Sequence, residues 1–229
     1  MKVFSKIRDV FVSFIAPNDG TTSEIEKMTP AEFCAATKPL SIGRELPKSL
    51  ILFEYSSPVV RKAIWEIKFR GNRKIARLIA TILYDELLEK LSEEKMFGGS
   101  SLRELPLLLP IPISGKRFRE RGWNQCEIIA DEMARLDAPP AGEAGRKNFE
   151  VRKNILVKNK NTTDQVGKGR SERLKNIKNT FYVKDEKLVK DRFIIVLDDV
   201  VTTGATIEEA GRALSVCGAK RILFLAIAH

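Results

Sequence analysis

The chain has 229 residues, 43% hydrophobic and 31% charged, with a net charge of +10 that attracts anions, whether phosphorylated small molecules or nucleic acid. That length suits one generous domain or a domain with a small appendage, and no apolar run is long enough to span a bilayer, so a cytoplasmic protein is expected. Three cysteines, Cys34, Cys126 and Cys217, are odd in number and widely spaced, which excludes a disulfide framework and a zinc site of the C-x-x-C kind.

In residues 1–16, Val3, Phe4, Ile7, Val10, Phe11, Phe14 and Ile15 fall at helical spacing with charges between them, predicting an amphipathic helix that docks on the body. Those charges, and the lack of a small-residue cleavage site, disfavour a signal peptide. Pro17, Pro30, Pro39 and Pro47 among small polar residues make 17–50 a loosely structured connector. The division is therefore 1–50, N-terminal helix and connector, and 51–229, the main domain.

From Ser56, the residues Val59, Val60, Ala63, Ile64 and Ile67 mark a helix that stops at Gly71. Asn72 caps a second helix with an apolar face of Ile75, Leu78, Ile79, Ile82, Leu83 and Leu87, running to about Lys95. Lys68 and Arg70, beside Gly71, read as a solvated cationic helix end in preference to phosphate ligands.

Leu105 to Ile113 is a buried-strand pattern whose prolines take its later part out of the sheet. A basic loop follows, with Lys116, Arg117, Arg119 and Arg121 before Gly122-Trp123-Asn124-Gln125. Ligand or anion contact is expected there, because open α/β sheets bind ligands at the carboxyl ends of their strands. A helix then carries Ile128, Ile129, Met133 and Leu136, and 137–153 reads as a loop of low order. Short strands at Asn154–Val157 and Thr180–Val183 flank the polar segment Asn159–Asn179, with Gln165, Arg170 and Arg173, a candidate lid. Arg221–Ala228 reads as a buried parallel strand, and the terminal His229 as inert.

The richest stretch is Arg192–Thr206. Phe193 to Leu197 is a strand buried on both faces, which ends on Asp198 and Asp199. Val200, Val201, Thr202, Thr203, Gly204 and Ala205 lead into a helix that begins near Thr206. A strand-loop-helix offers unpaired N–H groups and the positive end of a helix dipole, an anion site that suits phosphate. Gly204 admits a close ligand, and Thr202, Thr203 and Thr206 add donors, while the ionised aspartates accept from neighbouring hydroxyl groups. A sugar phosphate satisfies both halves. No Gly-Lys-Ser/Thr and no G-x-G-x-x-G is present, which disfavours nucleoside triphosphate hydrolysis and nicotinamide chemistry. Ile194–Thr206 instead resembles the phosphoribosyl-pyrophosphate (PRPP) motif of type I phosphoribosyltransferases.

Further blocks extend this likeness: Phe53–Gly71, ending Lys-Phe-Arg-Gly; Pro110–Gln125, with Arg-Glu-Arg-Gly-Trp-Asn-Gln; and Thr163–Phe181. Together they resemble the ComF family of phosphoribosyltransferase-like proteins, some members of which serve DNA uptake in bacterial competence. The resemblance covers residues 50–228 and implies an α/β fold, a central mostly parallel sheet flanked by helices. It implies transfer of a phosphoribosyl group from PRPP, bound with magnesium (Mg2+), to an unknown acceptor with release of pyrophosphate. Asp198 and Asp199 would be catalytic and hold the ribose hydroxyls. Val200, Thr202, Thr203, Gly204, Ala205 and Thr206 would complete the PRPP site. Lys116, Arg117, Arg119, Arg121, Gln165, Arg170 and Arg173 would meet the pyrophosphate. Magnesium would be held by PRPP oxygens, with no protein metal ligand assigned.

ComF-like proteins commonly carry a cysteine-rich zinc module after the first helix. Here Pro17-Asn18-Asp19-Gly20 and Cys34 stand in its place, and 17–50 reads as a degenerate remnant. The alternative function is a non-catalytic accessory of DNA uptake that partners DNA or competence-machinery proteins. It would bind nucleic acid through Lys147, Arg152, Lys153, Lys158, Lys160, Lys168, Arg170, Arg173, Lys175 and Lys178. Aromatic residues to stack on bases are few there: Phe149, Phe181 and Tyr182. An oligomer is compatible with either reading.

Overall fold

The computed structural model describes residues 21–37, 48–97, 104–139, 145, 147–159 and 180–229. Its helices are α1 (Thr21–Ile25), α2 (Pro30–Ala36), α3 (Pro58–Trp65), α4 (Arg73–Phe97), α5 (Gly115–Arg121), α6 (Gln125–Leu136) and α7 (Ala205–Val216). The strands are β1 (Ser49–Phe53), β2 (Leu107–Pro110), β3 (Glu150–Val151), β4 (Leu156–Lys158), β5 (Phe181–Val183), β6 (Phe193–Val200) and β7 (Arg221–Ala228). A five-stranded parallel sheet has the order β1-β7-β6-β2-β3, and β4 and β5 form a separate antiparallel pair.

The side chains of β6 explain its central place. Phe193, Ile195 and Leu197 face one core with α3, α4 and α6, whereas Ile194 and Val196 face a second core with α7 and the β4–β5 pair. The period-two alternation of a strand thus divides one continuous apolar run between two layers of cover. On the first side, all six residues expected on the apolar face of α4 are buried, and Asn72 Oδ1 caps that helix by accepting from Ile75 N at 3.2 Å. Pro110 ends β2, as its position among prolines foretold.

Three expectations are corrected. Part of the segment read as a loose connector is helical: α2 starts with a capping box in which Thr29 Oγ1 accepts from Glu32 N and Glu32 Oε2 accepts from Thr29 N. Ile25 and Phe33 are fully buried, and Phe33 meets Phe53 edge-on at 5.7 Å, so apolar contact holds residues 21–36 on the main body. The basic loop is the helix α5, because Ser114 caps its start and Gly122, at φ +86°, ends it. The low-order loop after α6 returns as β3. Buried Asp137 accepts from Asn148 N and Phe149 N, which fixes that return. The helix expected in 1–16 and the segment with Gln165, Arg170 and Arg173 lie outside the described residues.

Candidate functional site

Strand β6 carries Asp198 and Asp199 to the carboxyl edge of the sheet, and the turn Val201–Gly204 joins it to α7. Val201 N donates to Ala228 O at 2.9 Å, tying this turn to β7. Gly204 holds φ +80° at the N-cap of α7, a left-handed geometry that glycine adopts at little cost. Gly204 offers no side-chain cap, Thr203 Oγ1 accepts from Ala205 N at 3.5 Å, and Thr202, Thr203 and Thr206 are exposed around the N-terminus. The order of strand, turn and helix is the one expected from the sequence.

Both aspartates are buried. Asp198 Oδ1 accepts from Asp199 N at 2.8 Å and lies 3.8 Å from Cys126 Sγ. Asp199 Oδ1 accepts from Val200 N at 3.0 Å, and its Oδ2 accepts from Gln125 Nε2 at 3.1 Å. Lys68 Nζ stands 3.7 Å from the same Oδ2. Burial first, then the charge of Asp199, pushes the Asp198 carboxyl well above the usual carboxylate range. Burial and both acids also push the Cys126 thiol well up, so it stays protonated and donates to Asp198.

Two sequence blocks deliver these partners. Asn124 sets the start of α6: its Oδ1 accepts from Cys126 N at 3.0 Å, and its Nδ2 donates to Ile111 O at 2.9 Å. That bond ties α6 to the exit of β2. Lys68 sits on a π turn, Glu66–Arg70, that continues α3 and ends at Gly71. Trp123 Nε1 donates to Ile67 O at 3.1 Å, and a Cβ on Gly71 would lie 3.1 Å from the Trp123 ring. The Arg121 guanidinium lies 4.8 Å from the centre of the Phe69 ring, and its Nη1 donates to Gln125 Oε1 at 3.4 Å. Lys-Phe-Arg-Gly and Arg-Gly-Trp-Asn-Gln therefore interlock and converge on Asp199.

Among the expected pyrophosphate contacts, Arg121 joins this network through Gln125, while Lys116, Arg117 and Arg119 are exposed on α5. Sequence reasoning missed Lys68, Gln125 and Cys126 as neighbours of the acid pair. A signal existed for two of them: Lys68 stood before a helix-ending glycine, and Gln125 closed the basic block. Lys68 is not the solvated cation its position suggested, because the π turn brings it onto Asp199.

The family described as Phosphoribosyl transferase domain matches residues 126–228. The chain is 28% identical over 177 residues to Competence protein F of Haemophilus influenzae, covering 76% of this chain and 69% of that protein. It is 27% identical over 168 residues to DNA utilization protein YhgH of Escherichia coli, covering 72% of this chain and 65% of the relative. It is also 28% identical over 156 residues to Competence protein ComFC of Bacillus subtilis, covering 68% of this chain but 53% of that relative. The likeness thus takes in about two thirds of the first two relatives and about half of the third. With the acid pair, the threonine turn and the parallel sheet in place, the chain is similar to these competence and DNA utilization proteins and is built on the phosphoribosyltransferase fold.

Proposed function

We propose that this protein binds PRPP with magnesium at the β6–α7 turn and transfers the phosphoribosyl group to an acceptor. In that reaction the bond from the anomeric carbon to the pyrophosphate oxygen breaks, and a bond to the acceptor forms. The single observation that carries the reading is a pair of buried carboxylates one short turn before an α-helix N-terminus that is capped by a glycine and ringed by exposed threonines. Asp198 and Asp199 accept the ribose hydroxyls, and Thr202 to Thr206 with the first N–H groups of α7 hold the 5-phosphate. A protonated Asp198 keeps a carbonyl oxygen as acceptor and spares the pair a like-charge repulsion.

The donor set also bears on magnesium. Cys126 Sγ and the oxygens of Asp198 and Asp199 lie within 4.8 Å of one another. Magnesium is a hard cation that takes oxygen rather than sulfur ligands, so these residues fit a cation held chiefly by PRPP oxygens. Magnesium so bound shields the charge of the leaving diphosphate.

Isothermal titration with PRPP and magnesium tests the reading. Wild type should bind, and D198N/D199N should lose at least about tenfold in affinity, since two acceptors for sugar hydroxyls become amides. Equal heats from the two proteins, or none from wild type, sink it. The second reading, a non-catalytic role in DNA uptake, is favoured by the names of the competence and DNA utilization relatives. Pyrophosphate release with any of a panel of bases and amines decides for the enzyme.

A further inference from the structure

Asp199 Oδ2 accepts from Gln125 Nε2 at 3.1 Å and faces Lys68 Nζ at 3.7 Å. A ribose hydroxyl that donates to this oxygen competes with both for it. Gln125 is buried, and Arg121 holds its amide oxygen, whereas Lys68 is partly exposed on a flexible four-carbon stem. Lys68 is the group that moves.

Where it goes follows from the shape of the ligand. With the 5-phosphate at Thr202–Thr206 and the diol on the acid pair, the anomeric carbon lies beyond the 2-hydroxyl, away from the turn. Its diphosphate would therefore lie within a sugar ring of Asp199, where Lys68 and Gln125 converge and Arg121 stands behind Gln125. The backbone of this approach is unusual as well: π turns are rare and often coincide with functional sites. This one is braced at Ile67 O, which accepts from both Gly71 N and Trp123 Nε1 at 3.1 Å.

Resting on the PRPP reading, we propose that Lys68 is a diphosphate-binding residue, held on Asp199 until the ribose hydroxyls arrive and then paired with the diphosphate. Lys68 adds to the α5 arginines a cation that reaches the ligand from a different element, the end of α3. Its neutral partner in the swap is the sugar hydroxyl, so the acid pair keeps a full set of donors before and after binding.

The test compares PRPP with ribose 5-phosphate, which differ only in the diphosphate. Affinities of both are measured by titration for wild type, K68M and K68R, with thermal melting to confirm folding. K68M should weaken PRPP by about 10- to 100-fold, the scale of one charge-assisted contact, and ribose 5-phosphate by less than about threefold. K68R should retain most of the PRPP affinity. If K68M binds PRPP like wild type, or loses both ligands by the same factor, Lys68 has no diphosphate role, while the PRPP site itself stands. If wild type binds neither ligand, both the inference and the reading under it fall.

Discussion

Asp198 is a carboxyl whose burial makes the stability of the fold depend on pH. Its carboxyl holds a proton more tightly in the folded chain than in the unfolded one, because burial and Asp199 oppose its charge. The folded state then binds more protons, so stability falls as pH rises from the ordinary carboxylate range, near pH 4, toward the raised value. The contribution is fully present below that window and lost above it. Asp198→Asn removes the titration, and its urea midpoint should fall less across the window than that of wild type. Parallel profiles would show that Asp198 does not titrate as its burial demands. Cys126 depends on the same pair: its thiol, far from ionising, is a donor that spends its hydrogen on Asp198.

At the scale of elements, the site depends on the fit between the end of α3 and the turn before α6. Gly71 has φ +63°, and a Cβ there would press on Trp123 at 3.1 Å. Gly71→Ala meets both the backbone strain and the crowding, which together cost about 1–3 kcal/mol. Chemical denaturation reads that loss directly, and a change below about 0.5 kcal/mol would mean the turn relaxes freely. The start of α2 offers a contrasting lesson. Thr-Pro-Ala-Glu is a cap, a proline at the first helical position and a capping-box acid, so the helix was written in the connector. Counting prolines as breakers hid it, since proline at that position helps a helix begin. The charge run of α5 hid its helix in the same way, although Lys, Arg and Glu are good helix formers between Ser114 and Gly122.

For the whole molecule, a net charge of +10 favours nucleic acid only to the extent that its cations are available. Lys153 is committed to Asp131 at 2.6 Å and Arg152 to Glu150, so the described part of the basic segment offers fewer phosphate contacts than its composition suggests. Single-stranded DNA should therefore bind measurably at about 0.02 M salt and weaken steeply by about 0.2 M, with little sequence preference. Fluorescence anisotropy that shows no binding at low salt, or binding indifferent to salt, would rule out a backbone-driven contact. The sequence by itself determined the buried β6 strand, the acid pair at its end and the threonine-glycine turn. All of these are local in the chain: period, β-branching and turn chemistry act over neighbouring residues. Only the tertiary structure decided that Lys68 and Gln125, 131 and 74 residues before Asp199, meet one carboxylate oxygen. That meeting requires strand order, a π turn and the packing of Trp123 on Gly71, contacts between segments far apart in the chain that no local pattern encodes.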